Sequence, residues 1–166
     1  MPEVPAATQR SPLVVAGVGN SMMGDEGVGI HIVRRLAARA RPEFGIDWAE
    51  VGTSTMSLIH VIAHRRKAVV VDCARMGEEP GAIRRFTPGQ VRSGKLLTRL
   101  SLHEGDLLQA IDLSIRLGEG PSDIVIFGIE PESVEPGDRL SPRLQASLDS
   151  YVRQVAAEVD AGCGKG

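Results

Sequence analysis

Four ionisable residues stand at positions where this chain could bind and use a cation: Glu26, Glu50, Asp72 and His103. Glu26 follows Val14-Val15-Ala16-Gly17-Val18-Gly19-Asn20 and Gly24-Asp25, where an apolar strand passes into a glycine-rich turn and then a helix. Asp25 suits the N-cap of that helix, which leaves Glu26 in the first turn with no evident structural duty. Glu50 and the turn Gly52-Thr53 end a second apolar run. Asp72 closes a third, Ala68-Val69-Val70-Val71, where an ionisable side chain is costly to bury without a partner. Carboxylates at such a turn suit a cation better than a phosphate. A dinucleotide loop in the register of Gly17-Val18-Gly19 would need a third glycine at Met22, and the acidic pair would repel a pyrophosphate. A P-loop fails because no lysine follows the glycines.

A nitrogen donor would complete such a site, and the histidines differ in their claim to the role. Helical periodicity places Val28, Ile32, Val33, Leu36 and Ala40 on one face of the first helix and His31 opposite, beside Arg34 and Arg35, as a solvated surface residue. His60 and His64 are four apart, a spacing that can bind metal. His64, however, belongs to the basic last turn His64-Arg65-Arg66-Lys67, which the helix dipole explains. Ser101-Leu102-His103-Glu104 has the form of a capping box, with Ser101 as N-cap and Glu104 reaching back to it. In the first turn, the positive end of the dipole keeps the His103 ring neutral and available as a ligand. An ordinary first-turn histidine is the equal alternative.

These residues need a scaffold that brings them together. β-rich apolar runs predict strands at 13–18, 46–51, 68–73, 83–86 and 124–129, and helical patterns predict helices at 26–40, 54–64, 102–117 and 142–161. Ser141 caps the last helix and Pro142 takes its first position. The alternation predicts an α/β fold: a single three-layer α/β/α domain with a mostly parallel twisted sheet, in which residues just beyond the carboxyl ends of the strands share a cleft. The segment 128–142 reads as an ordered surface loop. We expect one domain over 1–166, with 1–11 and 162–166 as flexible tails.

Composition narrows the function classes. The chain has 166 residues, 42% of them hydrophobic, enough for the core of one domain. A net charge of −2 and few aromatics argue against nucleic-acid binding. No apolar run approaches the roughly 20 residues that span a bilayer, and the first twelve residues lack a signal-peptide pattern, so the expectation is no membrane insertion and a cytoplasmic location. Cys73 and Cys163 are expected as reduced thiols.

The segment from Gly17 through Gly29, the Gly52-Thr53 turn, the strand ending at Asp72, the helix starting at His103, and Gly128-Ile129-Glu130-Pro131-Glu132-Ser133 follow in an order that resembles the hydrogenase maturation endopeptidases. These enzymes trim the C-terminus of the large subunit of nickel-iron hydrogenases. The resemblance implies that Glu26, Asp72 and His103 form the metal site and carry catalysis. It also implies that nickel arrives inside the large-subunit precursor, with zinc or cadmium able to substitute in crystals, and that the enzyme removes the precursor's C-terminal extension once nickel is in place. Glu50 departs from the family's usual aspartate, and Cys73 stands where a smaller residue is common; as a small hydrophobe Cys73 fits that space. A thiol or serine peptidase using Cys73, Ser54 or Ser57 with His103 lacks a Gly-x-Ser-x-Gly elbow, and Ser54 suits a helix cap. From a different class, a nickel carrier would bind metal with the same three residues and cleave nothing.

Overall fold

Strand β1 (Leu13–Val18) sends Leu13 and Val15 to one face of the sheet and Val14 and Ala16 to the other, and all four are buried. A strand apolar on both faces demands cover on both. The computed structural model describes residues 10–40, 45–92 and 102–164, with side chains for 10–40, 45–91 and 107–164. Strands β2 (Ile46–Gly52), β3 (Lys67–Cys73), β4 (Ile83–Phe86) and β5 (Asp123–Ile129) join β1 in the order β2-β1-β3-β5-β4. All pairs are parallel except β4 with β5. The connection from β3 to β4 is too short for a parallel crossover, which needs about a dozen residues or more, so β4 runs antiparallel.

Helices α1 (Val28–Arg39) and α5 (Pro142–Cys163) cover one face, packing Ile32, Val33, Leu144 and Tyr151 against Val15, Val69 and Phe127. Helices α2 (Thr55–Ile62), α3 (Pro88–Arg92) and α4 (Leu102–Arg116) cover the other, packing Leu58, Ile62, Val91 and Ile111 against Val14, Val70 and Ile126. The expected α/β architecture with a mostly parallel sheet is therefore the observed one.

The sequence pattern does not predict α3; the other differences lie at element ends. A 3-10 turn, Gly24–Gly27, precedes α1, so the helix starts at Val28 rather than at Glu26. Helix α5 continues through Cys163 because Gly162 is buried against the side chains of Lys67 and Leu13, and its carbonyl accepts a bond from the Arg66 guanidinium. At the other end, the Ser11 hydroxyl donates to Asp47 and the Ser11 carbonyl accepts from Arg65, so the fold anchors Ser11. Ser54 caps α2 and Ser141 caps α5 through their hydroxyls, with Pro142 at the start of α5, as expected.

Candidate functional site

Two glycines let the chain close on itself beyond the carboxyl end of the sheet. Gly19 adopts φ +127°, and a Cβ there would stand 2.0 Å from the Glu26 carbonyl oxygen. At Gly29 a Cβ would stand 2.2 Å from the Val71 carbonyl oxygen. No side chain fits at either position, so the turn and the start of α1 lie directly on the ends of β1 and β3. That close approach brings Glu26 to Asp72. Together with Gly19, Thr53, Leu58 and Leu107 they line a small cavity of about 40 Å³.

Asp72 is 6% exposed. Burial pushes its carboxyl up to about 7; a hydrogen bond from the Cys73 N–H opposes the shift and the negative charge of Glu26 adds to it. A pair of carboxylates that disfavour each other in a sheltered cleft fits a cation, which relieves both repulsion and desolvation. Oxygen donors suit a hard or borderline divalent ion. Thr53, Ser54 and Thr55 add hydroxyl-bearing residues to the lining. Among the described residues no three His, Cys, Asp or Glu side chains form a complete metal group. His103 belongs to the first turn of α4, one turn before the lining residue Leu107. Its side chain, and the capping box with Ser101, lie outside the described residues.

Glu50 does not join this pair. Arg34 donates to both its oxygens, at 2.8 and 2.9 Å, and this pairing holds the carboxyl below its ordinary value. Glu50 lines an adjoining open cleft that shares Gly19 and Thr53 with the first. Its partner sits on α1, a tertiary contact that strand-end reasoning does not reveal.

Asp25 corrects the reading of the turn. It caps no helix: the N-cap of α1 is Gly27, with no side-chain bond, because the 3-10 turn intervenes. Its fully buried carboxylate instead accepts the N–H groups of Glu132 and Ser133, each at 2.9 Å, and of Ser141 at 2.7 Å. Glu130 was also missed as an anchor; its buried carboxylate accepts from the N–H groups of Met76 and Glu78. The sequence signals for it are an ionisable residue directly after an apolar strand and its place in the segment 128–133.

The remaining histidines stand apart. His31 is half-buried rather than solvated, its Nε2 is buried without a hydrogen-bond partner among the described residues, and burial followed by Arg34 lowers its pKa. The helical wheel omits the loop at Asp138, which comes close enough to act on the ring. His60 Nε2 lies 2.9 Å from the Arg10 guanidinium. Helix α2 ends at Ile62, and His64, at φ 59°, stands outside it, so the two are not successive turns of one helix. Cys73 and Cys163 are free thiols. Burial and the nearby carboxylates push the Cys73 thiol far above its usual range, which removes the thiolate a nucleophile needs.

A family model described as hydrogenase maturation protease matches residues 30–158, a span that includes Asp72 and His103. The hydrogenase 2 maturation protease of Escherichia coli is 28% identical over 147 residues, covering 87% of this chain and 88% of that protein. The hydrogenase expression/formation protein HupD of Bradyrhizobium diazoefficiens is 25% identical over 161 residues, covering 96% of this chain and 80% of that one. Among solved structures, the hydrogenase maturating endopeptidase HybD from E. coli superposes with a TM-score of 0.79 at 28% identity, covering 90% of this chain and 93% of that chain.

Proposed function

The chain belongs to the hydrogenase maturation protease family, and on that premise we propose that it recognises nickel in the precursor of a nickel-iron hydrogenase large subunit and then removes the precursor's C-terminal extension in the cytoplasm. The observation that carries this reading is the pair Glu26 and Asp72, brought to one sheltered cleft by the glycine-rich turn. The pair supplies two oxygen donors, and His103, at the start of the neighbouring helix, is the proposed nitrogen donor.

Nickel is part of the substrate in this account. Three protein ligands leave coordination positions for groups of the precursor, so a precursor without nickel lacks the anchoring contact and is not held at the cleft. Ligation requires the carboxylates in their ionised form, and burial favours the protonated form at Asp72, so nickel would bind there in competition with a proton. Thr53, Ser54 and Thr55 line the same cleft, and their hydroxyls can offer hydrogen bonds to an extended peptide backbone. Cleavage then breaks one peptide bond with one water, releasing the C-terminal peptide and the shortened large subunit.

The test is to incubate the purified protein with nickel-loaded precursor and read the product by mass spectrometry. A shortened large subunit plus a free C-terminal peptide supports the reading. An intact precursor whose nickel has passed to the protein supports a nickel carrier instead.

A further inference from the structure

The 3-10 turn that presents Glu26 has little to hold it in place by itself. It is four residues long, and its N-cap, Met23, makes no side-chain capping bond. A 3-10 turn has weaker internal hydrogen bonds than an α-helix and seldom persists without outside support. Its support comes from the loop at 130–141. Gly24 N–H donates to the Gly137 carbonyl at 3.0 Å, Asp25 N–H to the Ser133 carbonyl at 3.1 Å, and Gly137 N–H to the Met22 carbonyl at 2.8 Å. The Asp25 carboxylate adds three more bonds, and they are the charge-assisted ones: Oδ2 takes the N–H groups of Glu132 and Ser133, and Oδ1 takes that of Ser141. Ser141 is itself the N-cap of α5. Asp25 therefore joins the loop, the start of α5 and the turn at a single buried carboxylate.

At three residues per turn, adjacent positions of a 3-10 helix point about 120° apart. This separates the duties of the two neighbours: Glu26 lines the cleft, and Asp25 is directed into the protein. We propose that Asp25 is a positioning residue, which by gathering these three N–H groups holds the turn at the geometry that points Glu26 at the cation. The proposal rests on the reading that Glu26 binds the cation. Partners that orient a metal ligand typically carry about 10- to 100-fold in metal affinity or activity. Asparagine at 25 keeps the size of the side chain but turns an amide NH2 toward donors that need an acceptor, so the loop and the turn separate.

The test is cadmium binding to the full-length protein by titration calorimetry, together with amide hydrogen exchange. Asp25→Asn is expected to stay folded, to exchange faster at the amides of Glu132, Ser133 and Ser141, and to bind cadmium about 10- to 100-fold more weakly than the wild type. Faster exchange with wild-type cadmium affinity would reduce Asp25 to a loop anchor and overturn the proposal. If Asp25→Asn fails to fold, Ser141→Pro supplies the second route: φ at Ser141 is −56°, which suits proline, and the change deletes one donor to Asp25. Ser141→Ala is its control, since it loses the cap but keeps the N–H. Weaker cadmium binding in Ser141→Pro than in Ser141→Ala supports the proposal, and equal binding overturns it. Wild-type binding by Glu26→Gln, or no binding by the wild type, would remove the cation site itself and the proposal with it. Loss of binding in Glu26→Gln with full binding in Asp25→Asn overturns the proposal alone.

Discussion

Two carboxylates at the end of a sheet repel each other, and at Asp72 burial deepens the penalty. A fold tolerates such a pair where a ligand makes use of it. Glu26→Gln and Asp72→Asn keep the side-chain volumes but remove the charge, and each is expected to slow processing of the nickel-loaded precursor at least about 10- to 100-fold, as direct ligands should matter no less than their supporting partners. His103→Ala should do the same. The double variant Glu26→Gln with Asp72→Asn should be little worse than either single one, because one loss already breaks the shared site. Cys73→Ala should process normally, since its thiol is held protonated. Cleavage rates by gel shift or mass check this series, and loss of activity in Cys73→Ala with near-normal Glu26→Gln would favour a thiol peptidase. That Glu26 and Asp72 share a cleft was legible in the sequence, because Glu26 comes after β1 and Asp72 stands near the carboxyl end of β3, where the fold class alone places a cleft. The duties of Glu50 and Asp25 were not, because their partners, Arg34 and the N–H groups of Glu132, Ser133 and Ser141, come from other elements and only tertiary structure joins them.

The strands were legible to within a residue because β-branched runs bounded by turn residues need no tertiary information. Helix ends were less so: the 3-10 turn before α1 and the left-handed residue His64 after α2 answer to packing and turn geometry rather than to periodicity. A second cluster at the opposite end of the sheet ties elements together by charge. Glu158 of α5 accepts from Arg85 of β4 and from the buried Lys67 of β3, which also faces Asp123 of β5 at 3.3 Å. The bond from Arg85, and then that from Lys67, outweigh burial and hold the Glu158 carboxyl down to about 2. Its folded value lies below the ordinary 4.5, so this contribution to stability is complete above about pH 4.5 and is lost as the pH falls from there to about 2. Denaturant unfolding across that window should show stability falling with pH in the wild type and a shallower fall in Glu158→Gln. Equal slopes would mean that the cluster makes no net contribution.

As a whole, the molecule is a sheet whose carboxyl edge bears the candidate site and whose helices flank it. The candidate site is a partial one, with two carboxylates described and open coordination positions implied, in contrast to the closed four-ligand shell of a structural metal site. The isolated protein is therefore expected to hold nickel weakly and to keep its melting temperature after dialysis against a chelator. Unfolding on chelation would identify a structural metal instead. The central claim is that the enzyme reads nickel in its substrate before it cuts. The most direct measurement sets the wild-type protein, under identical conditions, against two preparations of one large-subunit precursor, nickel-loaded and nickel-free, with the C-terminal mass followed over time. The account predicts release of the C-terminal peptide from the nickel-loaded precursor and none from the nickel-free one; equal cleavage of both would contradict it.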